Sequence, residues 1–112
     1  MAVEIGAHAT WQVRVEPNMT ADRWGNKGVM VLATPHLVGL FEGAAVLAIK
    51  DQLEPGQSSV GTHVDIRHLK ATPVGDTVTL TAEVTNVDGR RLTFQVKAED
   101  STGTAGEGTH ER

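Results

Sequence analysis

The chain of 112 residues is 39% hydrophobic and 21% charged, a composition typical of a soluble globular protein rather than of a disordered one. Its net charge of -4 and its scattered basic residues disfavour a nucleic-acid partner, because phosphate binding needs a basic surface patch. The absence of cysteine excludes disulfides, thiolate metal sites and cysteine nucleophiles.

The length predicts a single domain over residues 1–112, which can bury about two thirds of its unfolded surface. Association with a second copy would enlarge that limited core. The amino-terminal residues MAVEIGAHAT have neither the charged start nor the long apolar core of a signal peptide. We therefore expect a cytoplasmic protein, with neither a membrane nor a nucleic acid as its partner.

The first element is a half-buried strand over residues 8–15. Trp11, Val13 and Val15 alternate with polar neighbours, which is the period of a strand with one buried face. Residues 17–28 contain the glycines, asparagines and proline of a loop, which leads to the next element.

A long helix between residues 33 and 53 is the element around which the rest is organised. Apolar residues recur at three- and four-residue steps, the spacing of one buried helical face: Leu37, Leu40, Phe41, Ala44, Leu47 and Ala48. Thr34 and Pro35 predict a start at residue 34 or 35, because a threonine can cap the helix and proline suits its first position. Lys50 and the sequence of residues 54–56 predict the end, which gives roughly eighteen helical residues.

Four further strands follow the helix. They are predicted over residues 58–69, 77–84 and 91–98 and, as a shorter strand, within residues 104–112. In the first of these, His68 belongs to the apolar face. Asp88 and Gly89 form a strong hairpin signal between two alternating runs.

This order of elements predicts an α+β protein of two layers. The strands after the helix have polar outer faces, so one face of an antiparallel sheet contacts water and the other covers the helix. One long central helix wrapped by a curled antiparallel sheet of about five strands is the hot-dog fold.

Three polar residues lie where a core would favour carbon: Thr34, Glu42 and His68. Each alone has an ordinary explanation, since Thr34 could cap the helix, Glu42 could face solvent and His68 could be a hydrogen-bonded core histidine. Together they match the needs of acyl transfer, which uses a carboxylate, a group that moves protons and donors for an oxyanion. The unpaired amides at the start of the helix could be those donors.

Other signals are weaker. His63 and His68 are five residues apart and should point to opposite strand faces, which disfavours a shared metal site. The glycines of residues 103–108 do not lead from a strand into a helix, so a phosphate-binding loop is not supported. His36 could reach a pocket from the first helical turn but is expected to be exposed, and Phe41 could be core or pocket wall. We therefore predict no metal and no cofactor.

Three segments resemble the fluoroacetyl-CoA thioesterase group of hot-dog thioesterases: VLATPHLVGLFEGAA, VGTHVDIRHLKATPVGDTVTLTAEVTNVDGRRLTFQVKAED and GTHER. In that family a threonine at the helix start, a glutamate eight residues further on and a strand histidine are catalytic. The resemblance assigns these roles to Thr34, Glu42 and His68. The predicted substrate-binding residues are Gly61, which by resemblance lines the acyl pocket, together with Thr62, His36 and Phe41.

The family also has a longer lid with aromatic residues ahead of the helix, whereas the corresponding segment here, MTADRWGNKGVM, is short. A short or medium acyl-CoA is therefore predicted as the substrate instead of fluoroacetyl-CoA. The predicted reaction is hydrolysis of the thioester to the free acid and CoA. The alternatives are a hot-dog enoyl hydratase or dehydratase and a non-catalytic protein that binds acyl-CoA or another small ligand.

The predicted assembly is a homodimer, with pairing of dimers into tetramers left open. Thr34 and Glu42 are eight residues apart, which is about 12 Å of helical rise, so one helix has difficulty presenting both groups to one thioester. A second helix beside it could supply the amides near Thr34 to a substrate attacked by the partner's glutamate. A bent helix start or a bridging water within one chain is the alternative.

Overall fold

The computed structural model describes residues 3–112. The first two residues of the predicted domain lie outside the described residues. They are also the first two residues of the segment that was compared with a signal peptide. The strands are β1 (His8–Arg14), β2 (His63–His68), β3 (Thr77–Asp88), β4 (Arg91–Asp100) and β5 (Gly103–Glu111), and the helix is α1 (Thr34–Ile49). A single turn of 3-10 helix covers Pro17–Met19. Within residues 3–112 no helix has the length and apolar character needed to cross a membrane.

The five strands form one antiparallel sheet in the order β1-β3-β4-β5-β2. The strand register shifts between Val84 and Asn86 of β3 and again between Ala98 and Glu99 of β4. Such irregularities bend strands and increase their twist, so the sheet curls around α1, which packs mainly against β1 and β3. The predicted hot-dog architecture is confirmed.

The core lies between α1 and the inner face of the sheet. The helix contributes Leu37, Leu40, Phe41, Ala44, Ala45, Ala48 and Ile49, and the two long strands contribute Val78, Leu80, Ala82, Val84, Leu92, Phe94, Val96 and Ala98. Fully burying one of the larger apolar side chains contributes about 1.5–3 kcal/mol, so these two faces hold the layers together. Both hydrophobic periods read from the sequence are confirmed, except that Leu47 is only half-buried.

The observed strands differ from the predicted ones at their ends, and β3 and β4 extend to Asp88 and Asp100, four and two residues further than predicted. β2 begins at His63 instead of residue 58, because its partner β5 ends opposite it, with His63 paired to Glu111. β5 is longer than predicted and pairs with both β4 and β2. Its glycines permit this, since a Cβ at Gly108 would come within 2.6 Å of the Cα of Ile66.

Candidate functional site

The start of α1 and the end of β2 meet at Thr34 and His68. The Oγ1 atom of Thr34 lies 2.7 Å from Nδ1 of His68. Just before the helix, the amide of Leu32 donates to the carbonyl of Thr72 at 2.8 Å, which ties the chain entering α1 to the segment that follows β2. Backbone bonding outside the helix therefore fixes the position of the Thr34–His68 pair.

Thr34 is the first helical residue and does not cap the helix, so the cap interpretation of this residue is wrong. The N-cap residue is Ala33, and its side chain makes no hydrogen bond to the amides of the first helical turn. The threonine hydroxyl contacts His68 instead. A helix start with uncapped amides carries partial positive charge, which suits an anion or a developing oxyanion.

His68 is half-buried on the inner face of β2, as its strand position predicts. Burial lowers the pKa of its imidazole from the usual 6.5, so the neutral form dominates at neutral pH. A neutral imidazole has one donor and one acceptor nitrogen. When the Thr34 hydroxyl donates to Nδ1, His68 is placed to accept the threonine proton. Its Nε2 atom is buried and makes no hydrogen bond within residues 3–112.

A cavity of about 550 Å³ adjoins this pair. The helix start and the segment after β2 form one wall, and the loop before the helix forms another, with lining residues that include Trp24, Asn26, Ala33, Thr34, His68 and Lys70. Its volume lies within the range of small-molecule sites. Trp24 remains 55% exposed, so a large aromatic surface stands at the edge of the cavity.

Glu42 lies further along α1 and pairs with a different group. Arg112 Nη1 donates to its Oε2 atom at 3.4 Å, and the glutamate side chain is 41% exposed while that of Arg112 is 6% exposed. The arginine is fixed by Ser59, whose hydroxyl and carbonyl oxygens accept from Nε and Nη2, both at 3.0 Å. The carboxylate predicted to be catalytic therefore faces a buried guanidinium.

Arg112 and His110 are functional candidates that no sequence motif predicts, and Nε2 of His110 lies 3.1 Å from Arg112 Nη1. Both belong to the GTHER segment. Strand alternation is the signal that could have identified them. Residues 106, 108, 110 and 112 are alternate residues along this stretch of the chain and therefore share one face, and Gly106, Gly108 and His110 on that face point inward.

Gly61 packs directly against the carboxylate of Glu42. A Cβ at this position would overlap Oε2 of Glu42 and would lie 3.0 Å from Cε1 of His110. Only glycine leaves space for this approach, so the structure brings the predicted pocket residue and the predicted catalytic glutamate together. Its contact with an acyl group stays a prediction.

The other three predicted binding residues lie elsewhere. Thr62 donates from its hydroxyl to the carbonyl of Glu111 at 3.2 Å. His36 is half-buried instead of exposed, and its pKa is lowered first by burial and then by the charge of Arg23. Phe41 is fully buried in the core. None of the three lines the cavity beside Thr34, and their roles in binding stay predictions.

Two polar residues of α1 therefore form two separate side-chain pairs. Thr34 pairs with His68, and Glu42 pairs with Arg112. Within residues 3–112 no hydrogen bond joins Glu42 to Thr34 or to His68, in agreement with the roughly 12 Å of rise between the two helical positions.

The architecture places the protein in the hot-dog class. The solved hot-dog-like protein from Thermanaerovibrio acidaminovorans superimposes with a TM-score of 0.88 at 26% identity, over 96% of this chain and 80% of that one. The family model described as fluoroacetyl-CoA-specific thioesterase, FlK, matches residues 15–112. The chain belongs to this family, which confirms the resemblance read from its motifs.

A curated protein and a solved structure of this family are closely similar to the chain. The fluoroacetyl-CoA thioesterase of Streptantibioticus cattleyicolor is 51% identical over 82 residues, which are 73% of this chain and 59% of that protein. The matched part therefore spans less than two thirds of the relative. A solved structure of the fluoroacetyl-CoA thioesterase FlK has a TM-score of 0.89 at 40% identity, over 97% of this chain and 85% of that one.

Proposed function

We propose that the protein is an acyl-CoA thioesterase that hydrolyses a short or medium acyl-CoA to the free acid and CoA. The observation that carries the proposal is the Thr34–His68 pair at an uncapped helix start, beside a cavity of small-molecule size. Family membership supports it. Solved relatives support it as well, since one holds fluoroacetate and CoA and a threonine-to-serine variant holds acetyl-CoA.

In the proposed reaction Glu42 attacks the thioester carbon to form an anhydride, which water then cleaves to the free acid and Glu42, or Glu42 instead accepts a proton from a water that attacks the thioester carbon directly. The amides at the start of α1 stabilise the oxyanion that forms on the carbonyl oxygen. As the carbon–sulfur bond breaks, the leaving thiolate takes a proton through the Thr34–His68 pair. A neutral His68 suits this role, because it can first accept a proton and then return it.

A homodimer with sites shared between chains is part of the proposal. Thr34 and Glu42 have separate partners in one chain, so a second helix is the simplest way to complete a site. The free edge of β2 supports such an arrangement. β2 is an edge strand of the sheet, and the residues near its two ends, Val60 and Leu69, are 72% and 50% exposed.

Light scattering checks the assembly. We expect a mass equal to two chains, which indicates a dimer. A mass equal to four chains would show that dimers pair into tetramers. A monomer that hydrolyses acyl-CoA at full rate would contradict the shared site. The cytoplasmic location and the lack of a cofactor or metal stay predictions from the sequence.

Release of free thiol from a panel of acyl-CoAs tests the reaction. The panel runs from acetyl- to octanoyl-CoA and includes fluoroacetyl-CoA and crotonyl-CoA. Thiol release supports the thioesterase and ranks the acyl chains. Loss of the enoyl absorbance of crotonyl-CoA without thiol would instead show a hydratase, and saturable binding without either change would show a binding protein.

A further inference from the structure

His110 is a fully buried histidine of β5 to which the proposed reaction gives no role. Its Nδ1 lies 2.8 Å from the carbonyl oxygen of His63 and its Nε2 lies 3.1 Å from Nη1 of Arg112. The ring stacks on Phe94 with 5.9 Å between centroids. Both nitrogens and one face of the imidazole are therefore occupied.

The two polar partners fix the tautomer of His110. A backbone carbonyl only accepts hydrogen bonds, so Nδ1 carries the hydrogen toward His63. A guanidinium only donates, so Nε2 presents a lone pair to Arg112. One neutral tautomer in one ring orientation satisfies both contacts, whereas a protonated ring would aim a second N–H at a cation.

Arg112 is in turn held by four acceptor atoms of three residues around its planar fork. One Nη1 hydrogen is directed at His110 and the other at Glu42, while Ser59 accepts from Nε and Nη2. The contact with Glu42, at 3.4 Å, is the longest of these four. The same Nη1 atom makes the shorter contact with His110, so the acceptor on His110 helps to hold the atom that faces Glu42.

The location of His110 makes it a rigid support. β5 is paired on both sides, and His110 lies opposite Phe94 of β4 and Val64 of β2. A side chain on a central strand is held more firmly than one on a loop.

We infer that His110 is a positioning residue, which through Nε2 orients Arg112 and thereby the carboxylate of Glu42. This inference rests on the catalytic role of Glu42 in the proposed function. Catalysis is sensitive to such support, because a displacement of a reacting group by about 1 Å can reduce the rate by as much as about 100-fold.

Two matched amide variants separate the two contacts of His110. In His110→Gln the amide oxygen can reach the position of Nε2 and accept from Arg112. In His110→Asn the shorter amide can donate near the position of Nδ1, to His63, but cannot reach Arg112. We expect His110→Asn to lower kcat at least about tenfold with little change in KM, and His110→Gln to keep kcat within about threefold of the wild type.

A purely structural role of His110 predicts a different result. Both variants would then lose kcat to a similar extent, and each loss of kcat would accompany a fall in Tm. That result would overturn the inference. A double-mutant cycle adds a second criterion. With Arg112→Ala already present, His110→Asn should lower kcat no further, and additive losses would contradict an action through Arg112.

Nitrogen-15 NMR of the wild-type protein with labelled histidine and arginine needs no turnover. We expect a protonated Nδ1 and an unprotonated Nε2 for His110, and Arg112 Nη signals that broaden in His110→Asn but not in His110→Gln. If these signals appear while no acyl-CoA is hydrolysed, the proposed function fails and the contact stands. A hydrogen on Nε2 of His110 overturns the inference at any level of activity.

Discussion

The hydroxyl of Thr34 lies 2.7 Å from Nδ1 of His68, so the first turn of the helix and the last residue of β2 form one polar pair. Glu42, on the same helix, is paired with Arg112 instead. The hydroxyl–imidazole pair and the carboxylate are thus held by different parts of the sheet. A thioester must contact both for the proposed reaction to occur.

Replacing Glu42 with glutamine should remove hydrolysis and leave the fold intact. Glutamine has nearly the same shape but cannot attack a thioester or accept a proton from water, so we expect kcat to fall about 10²- to 10⁴-fold. Thiol release measures the loss, and circular dichroism with Tm checks the fold. Glu83→Gln, at an exposed position of β3, is the matched control and should keep full activity. Near wild-type turnover of Glu42→Gln would refute the catalytic role.

Replacing Gly61 with alanine should displace the carboxylate of Glu42, because the new Cβ would overlap its Oε2 atom. We expect a fall in kcat of about tenfold or more, since the reacting group moves from its position. Gly39→Ala is the control, as a Cβ there meets nothing within 4 Å. That change should leave kcat unaltered and stabilise the helix by about 0.5–1 kcal/mol. Equal kcat in the two variants would show that Gly61 does not constrain the site.

The activity of the wild type should hold through pH 6.5 and decline only under more acidic conditions, because burial lowers the pKa of His68. In the proposed reaction its neutral form is the one that accepts the proton from Thr34. The lowered pKa also makes stability decrease as pH falls below about 6.5, where the unfolded chain binds the proton first.

His68→Ala should lower kcat and remove the acidic limb of the profile of kcat against pH. His8→Ala is the control and should leave the profile unchanged, since His8 is exposed on β1 and its ring lies against the carbonyl of Gly6. A profile of unchanged shape in His68→Ala would count against proton transfer by this residue.

Asp100 should stabilise the turn between β4 and β5 in a pH-dependent way. Burial raises the pKa of this carboxyl, but its ion pair with Lys70 and its hydrogen bonds from Thr72 and Thr102 outweigh burial and hold the pKa well below 3.8. Asp100→Asn should lower the free energy of unfolding by about 1–3 kcal/mol at pH 7.

The difference between Asp100→Asn and the wild type should be complete above about pH 4 and shrink as pH falls toward the lowered pKa, where the wild-type carboxyl is also protonated. Urea unfolding at several pH values measures it. Asp51→Asn, at an exposed position after α1, should change stability little at any pH. A difference for Asp100→Asn that is as large at pH 2 as at pH 7 would mean that packing, and not charge, is responsible.

Local patterns predicted most of the fold because burial imposes its period on each element. The alternation of Val78, Leu80, Ala82 and Val84 and the helical spacing from Leu37 to Ala48 are both repeated in the observed core. The start of β2 was wrong because it depends on where β5 ends, and no local pattern contains the length of a partner strand.

The site was less predictable, for the same reason. Thr34 has the sequence context of a helix cap, and only the tertiary approach of His68 shows where its hydroxyl bonds. Glu42 could be recognised as unusual among apolar neighbours, but its partner Arg112 is seventy residues away in the chain. Contacts between distant segments are set by packing, which a reading of adjacent residues does not reveal.

The last prediction is that each active site draws on two chains. An equimolar mixture of Glu42→Gln chains and Thr34→Ala chains, with subunit exchange confirmed by mass spectrometry, should regain activity although each parent is inactive. Half of the dimers are then mixed, and each mixed dimer has one site with an intact Thr34 and an intact Glu42, so about a quarter of the wild-type activity should return. A site within one chain would give no recovery. The control mixes the wild type with chains that carry both substitutions. Shared sites are then intact only in wild-type dimers, about a quarter of the total, whereas sites within one chain would leave about half of the activity.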